Sequence, residues 1–182
     1  MVLCNNKNLG QKVRSLKNLA FRSDRRFLHT EIGYNYRMTN LQAALGISQV
    51  AQIEKHVKIK RKNTQIYNSI LEKMSLPIRL PTEKKNVRSV FWMYGIVIEN
   101  KKIPANELAK KLFNNGIETR PLFLGMHEQP VLKKMNLFGK EKFPVTEELS
   151  KYGLYLPSGL KLNKKKIIKV CNALKKIFNE SV

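Results

Sequence analysis

The sequence predicts an α+β fold, in which a long helix precedes a small layer of strands and helices. Apolar residues recur at helical spacing from Leu41 to Met74, well beyond the length of an average helix. The continuous apolar run VFWMYGIVI, at 90–98, is typical of a buried strand. After this run, helical patterns alternate with short extended segments up to the last helix. These three observations together predict the fold class.

The first 38 residues divide into a patterned part, 1–22, and an irregular part, 23–38. Residues 1–22 predict a short strand, Met1–Cys4, followed by a helix that Asn8 would cap. Residues 23–38 are polar and lack a helical period, with Gly33 as the one flexible point. A structureless segment of this length inside a compact chain is often functional.

The long helix is predicted to begin at a capping box, TNLQ at 39–42. The Thr39 hydroxyl would accept the N–H of Gln42, and the Gln42 side chain would reach back to the N–H of Thr39. If the helix is unbroken as far as Met74, it spans about 50 Å at ~1.5 Å per residue. Such a helix suggests an arm that connects two bodies, and the prolines at 77 and 81 end it.

We therefore predict three regions: residues 1–38, a connecting helix within 39–80, and a small α+β domain at 81–182. In this domain the first strand covers Val90–Ile98 and places Trp92 in the core. A second strand covers Ile117–Leu124, and Pro121 places it at an edge because proline has no N–H to donate.

The helices of this domain are predicted from their capping residues. One covers Pro104–Asn115, ends at Gly116 and turns four apolar residues inward: Leu108, Ala109, Leu112 and Phe113. A short helix begins near Pro130, and another covers Pro144–Tyr152. A strand or extended loop follows at 154–159, and Asn163 caps the last helix.

The chain is strongly basic, with 35 Lys+Arg against 13 Asp+Glu and a formal net charge of +22. A basic surface is a general requirement for binding nucleic acid. The excess is spread evenly, however, with +10 in positions 1–62 and +12 in positions 63–182. This favours a solvated lysine-rich surface, and nucleic-acid binding remains the less favoured alternative.

The cysteine count and the hydropathy pattern indicate in which cellular compartment the protein is expected. Cys4 and Cys171 are the only cysteines, so we expect neither a disulfide framework nor a cysteine metal site. No apolar window reaches the roughly 18 residues of a membrane span. The first residues are also too polar for a signal-peptide core. A reduced, cytoplasmic setting is expected.

The block GYNYRMTNLQAALG, at 33–46, contains the chemically informative residues. Asn35 offers an amide, Tyr34 and Tyr36 offer hydroxyls, and Arg37 offers a planar fork suited to phosphate. A purely structural role, capping and bracing the long helix, is the alternative for these residues.

The same block resembles the sugar-nucleotide aminotransferases of the DegT/DnrJ/StrS type, and most closely their perosamine-synthase-like members. Further segments resemble the family in the same order: MVLCNNKNLGQKVRSLKNLAF, FWMYGIVI, GIETRPLFLGMHEQP and FPVTEELSKYGLYLPSG. The resemblance covers nearly the whole chain. It implies the small C-terminal domain of a fold-type I enzyme that uses pyridoxal phosphate (PLP), plus a long connecting helix at 39–80. Residues 1–38 would then be a remnant of the large cofactor domain together with the GYNYR loop.

The resemblance also implies roles for five residues. Asn35 would reach across a homodimer interface to the phosphate of the neighbouring subunit's PLP, and Arg37 would lie near that phosphate. Tyr36, Arg120 and His127 would contact the nucleotide-sugar substrate. Arg120 precedes a proline, so its backbone is expected to be extended.

One departure from the family pattern limits the expected activity. The Schiff-base lysine of the family, and most of its large PLP-binding domain, lie upstream of the block that MVLC resembles. Lys7 is not a substitute, because it is too close to Asn35 and its neighbours match a later helix. We therefore expect a C-terminal portion that is inactive alone, and that either works with a separate N-terminal half or serves as a non-catalytic scaffold for a full-length aminotransferase.

Overall fold

The computed structural model describes residues 2–139 and 141–180. It consists of two compact units, an N-terminal unit, Met1–Gln52, and a C-terminal unit, Ile53–Val182. The long helix α2, Asn40–Leu71, contributes to both. No helix in the described part of the chain has the length and apolar content needed to cross a membrane.

The N-terminal unit begins with helix α1, Lys7–Leu16. Asn6, rather than the predicted Asn8, caps this helix, and its side chain accepts the N–H of Leu9 at 3.0 Å. The strand predicted for Met1–Cys4 is wrong for the described residues 2–4, which have no neighbouring strand to pair with there; Met1 lies outside the described residues. Ala20 is the only buried residue in the described part of this unit.

The capping box at the start of α2 is confirmed. The Thr39 N–H donates to Gln42 Oε1 at 2.9 Å, and the Gln42 N–H donates to Thr39 Oγ1 at 3.2 Å. These bonds satisfy backbone donors that the first helical turn cannot pair internally. The α-helix ends at Leu71 and continues as one 3-10 turn, Glu72–Met74. Ser75 then adopts a left-handed conformation with φ 50°, which stops the helix before the prolines.

The C-terminal unit contains a four-stranded antiparallel sheet in the order β1-β2-β4-β3. The strands are β1, Ile78–Arg79; β2, Tyr94–Ile98; β3, Arg120–Pro121; and β4, Gly153–Leu156. The helices are α3, Ala105–Asn114; α4, Pro130–Lys134; α5, Pro144–Tyr152; and α6, Lys164–Asn179. A 3-10 turn, Met126–Glu128, precedes α4.

The core lies on one face of this sheet. Alternate residues of β2 and β4 point into it, since successive strand residues face opposite sides. Buried residues of α2, α3 and α6 complete the same cluster, among them Tyr67, Leu108 and Leu174. Burial of the thiol in this cluster raises the pKa of Cys171 to about 12, so this cysteine acts as a small apolar side chain.

Several predictions for this unit are confirmed. Helix α5 covers Pro144–Tyr152 as predicted, and Asn163 caps α6 by accepting the N–H of Lys166 at 3.0 Å. Gly116 has φ 71° and follows Asn115, the C-cap residue of α3, a position at which glycine is favoured. The predicted strand at 117–124 is reduced to two residues, and it does lie at the sheet edge, where the missing N–H of Pro121 costs no ladder bond.

Two core predictions are wrong. Phe113 is 70% exposed, because the inward face of α3 is formed by Leu108 and Leu112, and the next residue along the helix points about 100° away. Trp92 is 58% exposed. It follows Phe91, whose φ of 44° turns the chain, so Trp92 lies before β2 begins rather than inside it.

Candidate functional site

The loop that precedes α2 is fixed by a short antiparallel pairing within the N-terminal unit. The Tyr34 N–H donates to Leu16 O at 2.6 Å, and the Tyr36 N–H donates to Lys17 O at 3.0 Å. The Leu19 N–H donates to Tyr34 O at 3.1 Å. Asn35 thereby lies opposite Asn18 in an isolated antiparallel bridge. The loop has no helix or sheet of its own, yet its backbone position is defined.

This pairing presents the three predicted side chains of the loop to solvent. The rings of Tyr34 and Tyr36 stack with centroids 5.4 Å apart and planes 5° apart. Because extended residues alternate in direction, Asn35 points to the opposite side from the two rings. Asn35, Tyr36 and Arg37 are all exposed. Arg37 uses Nη1 to donate to Asn18 Oδ1 at 3.3 Å, which leaves most of its guanidinium donors free.

The donor set of this loop fits the phosphate end of PLP. The Asn35 amide and the Arg37 guanidinium can both donate hydrogen bonds to phosphate oxygens, and residues two apart in an extended segment project to the same side. The two acidic residues of the N-terminal unit are engaged elsewhere, Asp24 with Arg22 and Glu31 with Lys12. No group of three or more His, Cys, Asp or Glu residues that could hold a metal occurs among the described residues.

Arg120 lies in the C-terminal unit, in a row of residues across the sheet. Tyr155 of β4 is directly opposite Gly95 of β2 on one side and Arg120 of β3 on the other. Directly opposed residues of an antiparallel pair project to the same face, here the face away from the core. A Cβ at Gly95 would lie 3.2 Å from the Tyr155 ring, so the absence of a side chain at Gly95 leaves space for that ring.

A cavity of about 810 Å³ opens beside this row. It is lined by Arg120 and Tyr155 together with polar and charged residues from α2, α6 and two loops, notably Lys60, Glu118, Thr119, Ser158, Lys166 and Lys169. A cavity of this size is in the range of small-molecule sites. Sequence analysis predicted only Arg120 here. The lysines were assigned to a solvated surface, and nothing local in the sequence distinguishes them from the many other lysines.

His127 is held in a separate, buried position of the C-terminal unit and does not line that cavity. The residue is 8% exposed, its Nε2 lies 3.2 Å from Glu147 Oε1, and its ring packs on Phe143 at 4.8 Å. A Cβ at Gly125 would lie 2.5 Å from His127 Cε1, so glycine is required beside the ring. These contacts brace the turn before α4 and fix the orientation of the imidazole.

Replacing Glu147 by glutamine is expected to reduce stability in a pH-dependent way. The Phe143 N–H bond at 2.9 Å, followed by His127, lowers the pKa of Glu147 below 4.5 in the folded protein. The ionised carboxylate therefore stabilises the fold above pH 4.5, and this contribution is lost as the pH falls through the folded-state pKa. Urea unfolding should give a lower free energy of unfolding for the variant than for the original protein at neutral pH. This gap in free energy should close under acid conditions.

The matched control is Glu99→Gln, which removes an exposed carboxylate in the same unit that forms no ion pair with a described residue. It should show a smaller gap with little dependence on pH. A gap for Glu147→Gln that stays constant from neutral to acid pH would contradict the assigned role of its carboxylate.

Solved structures with similar backbones define the fold of the chain. The chain matches Helicobacter pylori PseC, an aminotransferase involved in the biosynthesis of pseudoaminic acid, with a TM-score of 0.86 and 17% identity, over 97% of this chain and 47% of that one. It matches the PLP form of the putative sugar aminotransferase Spr1654 from Streptococcus pneumoniae with a TM-score of 0.85 and 14% identity, over 98% and 45%. The fold is that of the C-terminal portion of a PLP-dependent aminotransferase, as predicted.

The chain belongs to the DegT/DnrJ/EryC1/StrS aminotransferase family, whose model matches residues 1–175. Among curated relatives, GDP-perosamine synthase of Vibrio cholerae is 33% identical over 180 residues, which are 98% of this chain and 48% of the relative. The chain therefore spans about half the length of the curated relatives it matches. The predicted family is confirmed.

Proposed function

We propose that this chain is the C-terminal portion of a PLP-dependent enzyme that transfers an amino group from glutamate to a nucleotide-linked keto sugar, giving a 4-amino sugar. Membership in the family and similarity to a protein named GDP-perosamine synthase support this reaction class. Both cysteines are free, which supports a cytoplasmic setting for the enzyme.

The observation that supports the proposal most directly is the fixed loop at 33–38. Its backbone pairs with residues 16–19, so Asn35 and Arg37 are held exposed side by side. Asn35 would donate its amide to the PLP phosphate of the neighbouring subunit in a homodimer, and Arg37 would add charge. PLP, when bound, carries the amino group between donor and acceptor. An uncharged amide can bind phosphate without the cost of burying a charge.

The remaining predicted residues would bind the substrate. Tyr36 exposes its ring and hydroxyl on the side of the loop opposite Asn35. Arg120 extends from the sheet edge into the cavity with donors that match a phosphate group. His127 has one ring nitrogen paired with Glu147, so it would offer its other nitrogen in a fixed orientation. The covalent lysine for PLP would come from the other half of the family's length.

Replacing Asn35 by alanine tests the proposal in the assembled enzyme, meaning this chain together with the polypeptide segment that supplies the rest of the family's length. Loss of a hydrogen bond to a charged group is expected to weaken PLP binding about tenfold. Asn35→Asp should weaken it further, since a carboxylate repels phosphate. PLP affinity is measured by absorbance titration, and amino transfer by the mass change when a sugar carbonyl becomes an amine.

The matched control is Asn8→Ala, because Asn8 is exposed in the same unit and does not cap α1. It should leave PLP affinity unchanged. The proposal fails if the assembled enzyme transfers no amino group from glutamate to any nucleotide-linked keto sugar tested. The assignment of Asn35 fails if Asn35→Ala behaves like Asn8→Ala.

A second candidate function is a non-catalytic scaffold that binds a full-length aminotransferase. The part of α2 that lies in the N-terminal unit exposes four large apolar residues, Leu41, Leu45, Ile47 and Val50. Apolar surface of this kind usually contacts another protein. If the chain is a scaffold, the Asn35→Ala variant should leave the activity of the partner aminotransferase unchanged. The Leu41→Glu/Leu45→Glu variant should no longer bind the partner. The aminotransferase proposal expects Asn35→Ala itself to reduce activity.

A further inference from the structure

The cavity in the C-terminal unit contains a concentration of positive charge. Four cationic side chains line it, Lys60, Arg120, Lys166 and Lys169, against a single carboxylate, Glu118. None of these five residues forms an ion pair with another residue in the described part of the chain. Unpaired like charges around one cavity repel each other, and an anion bound among them would relieve that repulsion.

Lys60 is the best-positioned of the four. Its ammonium donates to the main-chain carbonyl of Trp92 at 2.9 Å and to that of Ser158. These two bonds fix the charge at the cavity wall, between the segment before β2 and the segment after β4. Burial lowers the pKa of Lys60, because its charge is partly removed from water. An anion in the cavity would stabilise that charge.

The other cations approach the cavity from different elements. Lys166 and Lys169 are three residues apart on α6, which places them on one side of the helix. The Lys169 Nζ lies 3.9 Å from the position of a Cβ on Gly116, so it reaches the end of α3. Arg120 arrives from β3, on the sheet face of Tyr155. Thr119 and Ser158 add hydroxyl groups to the lining.

We propose that this cavity binds a diphosphate group, with Lys60, Lys166 and Lys169 joining Arg120 as its ligands. Four cations and one carboxylate give a net charge that complements a diphosphate, and ammonium and guanidinium groups are the usual protein donors to phosphate oxygens. The inference rests on the proposed function, because in the assembled enzyme the group would belong to the nucleotide-linked substrate. Tyr155 lines the cavity on the open face of the sheet, and the Trp92 ring lies next to it, with ring centroids 6.4 Å apart.

The binding test uses the full chain and three probes: inorganic pyrophosphate, GDP and guanosine. Trp92 is the only tryptophan and its ring is close to the Tyr155 ring, so its fluorescence reports on the cavity. Calorimetry gives an independent Kd. We expect pyrophosphate and GDP to bind, guanosine not to bind, and both affinities to fall with added salt. Tighter binding of GDP than of pyrophosphate would identify a nucleoside diphosphate as the natural source of the group.

The double variant Lys166→Gln/Lys169→Gln removes two exposed charges from the cavity. It is expected to weaken pyrophosphate binding at least about tenfold. The matched control is Lys165→Gln/Lys175→Gln, which removes two exposed charges from the same helix outside the cavity and should change Kd by less than about threefold. Thermal melts confirm that both variants fold. Equal weakening in the two variants, or no pyrophosphate binding by calorimetry, would overturn the inference.

The outcome is distinguishable from that of the proposed function. If the assembled enzyme transfers amino groups while the chain fails to bind pyrophosphate, the diphosphate site alone is wrong. If the chain binds pyrophosphate in the cavity while the assembled enzyme transfers no amino group, the diphosphate site stands and the aminotransferase proposal fails.

Discussion

Replacing Tyr94 by alanine is expected to destabilise the C-terminal unit by about 3–5 kcal/mol, the usual cost of truncating a buried aromatic residue. Tyr94 is 1% exposed, and its ring stacks on that of Tyr67 with centroids 4.4 Å apart. Its hydroxyl donates to Asn68 Oδ1 at 2.7 Å. The substitution would therefore leave a cavity between β2 and α2 and remove a hydrogen bond as well. Burial raises the pKa of both tyrosines, so the phenols stay protonated and act as donors.

Urea unfolding followed by circular dichroism measures this loss, with Tyr94→Phe as the control. Phenylalanine keeps the ring stack and removes only the hydroxyl, so it should cost about 1 kcal/mol. Tyr67→Phe removes the parallel bond from the Tyr67 hydroxyl to Pro157 O, which is 2.9 Å long, and should cost a similar amount. If Tyr94→Ala lowers the free energy of unfolding no more than Tyr94→Phe does, the ring stack does not hold α2 against the sheet.

The features that the sequence predicted correctly are those set by neighbouring residues. The capping box of Thr39 and Gln42, the Asn163 cap of α6 and the glycine after α3 each depend on residues within one turn. The candidates Asn35, Tyr36 and Arg37 are also consecutive in the chain, so one motif names all three, and their binding roles stay a prediction. Their exposure follows from one short pairing with residues 16–19.

The features that the sequence did not predict depend on contacts between distant segments. The row of Gly95, Tyr155 and Arg120 requires the register of three strands that are far apart in the sequence. The cavity lysines gain their role only because α2 and α6 bring them to Arg120. Periodicity also cannot locate the turn at Phe91, which moves Trp92 out of the strand. Lysines at solvated and at site positions look the same in a lysine-rich chain.

Replacing Gly33 by alanine is expected to displace the Asn35 loop. A Cβ at this position would lie 2.1 Å from the Leu19 carbonyl carbon and 2.2 Å from the Ala20 nitrogen. Both contacts are with backbone, so a rotamer change cannot relieve them. Segment 33–36 must move away from residues 16–20, and the three backbone bonds that hold it would be lost. At about 1 kcal/mol for each bond, the local cost is roughly 3 kcal/mol.

Hydrogen exchange of the full chain measures the displacement, because the amides of Leu19, Tyr34 and Tyr36 are the donors in these bonds. In Gly33→Ala these three amides should exchange faster, while amides of the β2–β4 pairing stay protected. Gly46→Ala is the control: its Cβ meets nothing within 4 Å, and alanine in a helix is favoured over glycine by up to about 1 kcal/mol.

The Gly33→Ala variant also tests whether the position of Asn35, and not only its amide group, is needed for PLP binding. In the assembled enzyme the variant retains the Asn35 amide but moves it, so PLP affinity should fall at least as far as in Asn35→Ala. Combining the two substitutions should add little further loss, because both remove the same contact. Additive losses would mean that Gly33 supports PLP binding by another route. Unchanged PLP affinity together with faster exchange of the three amides would show that the loop, although displaced, is not what holds the phosphate.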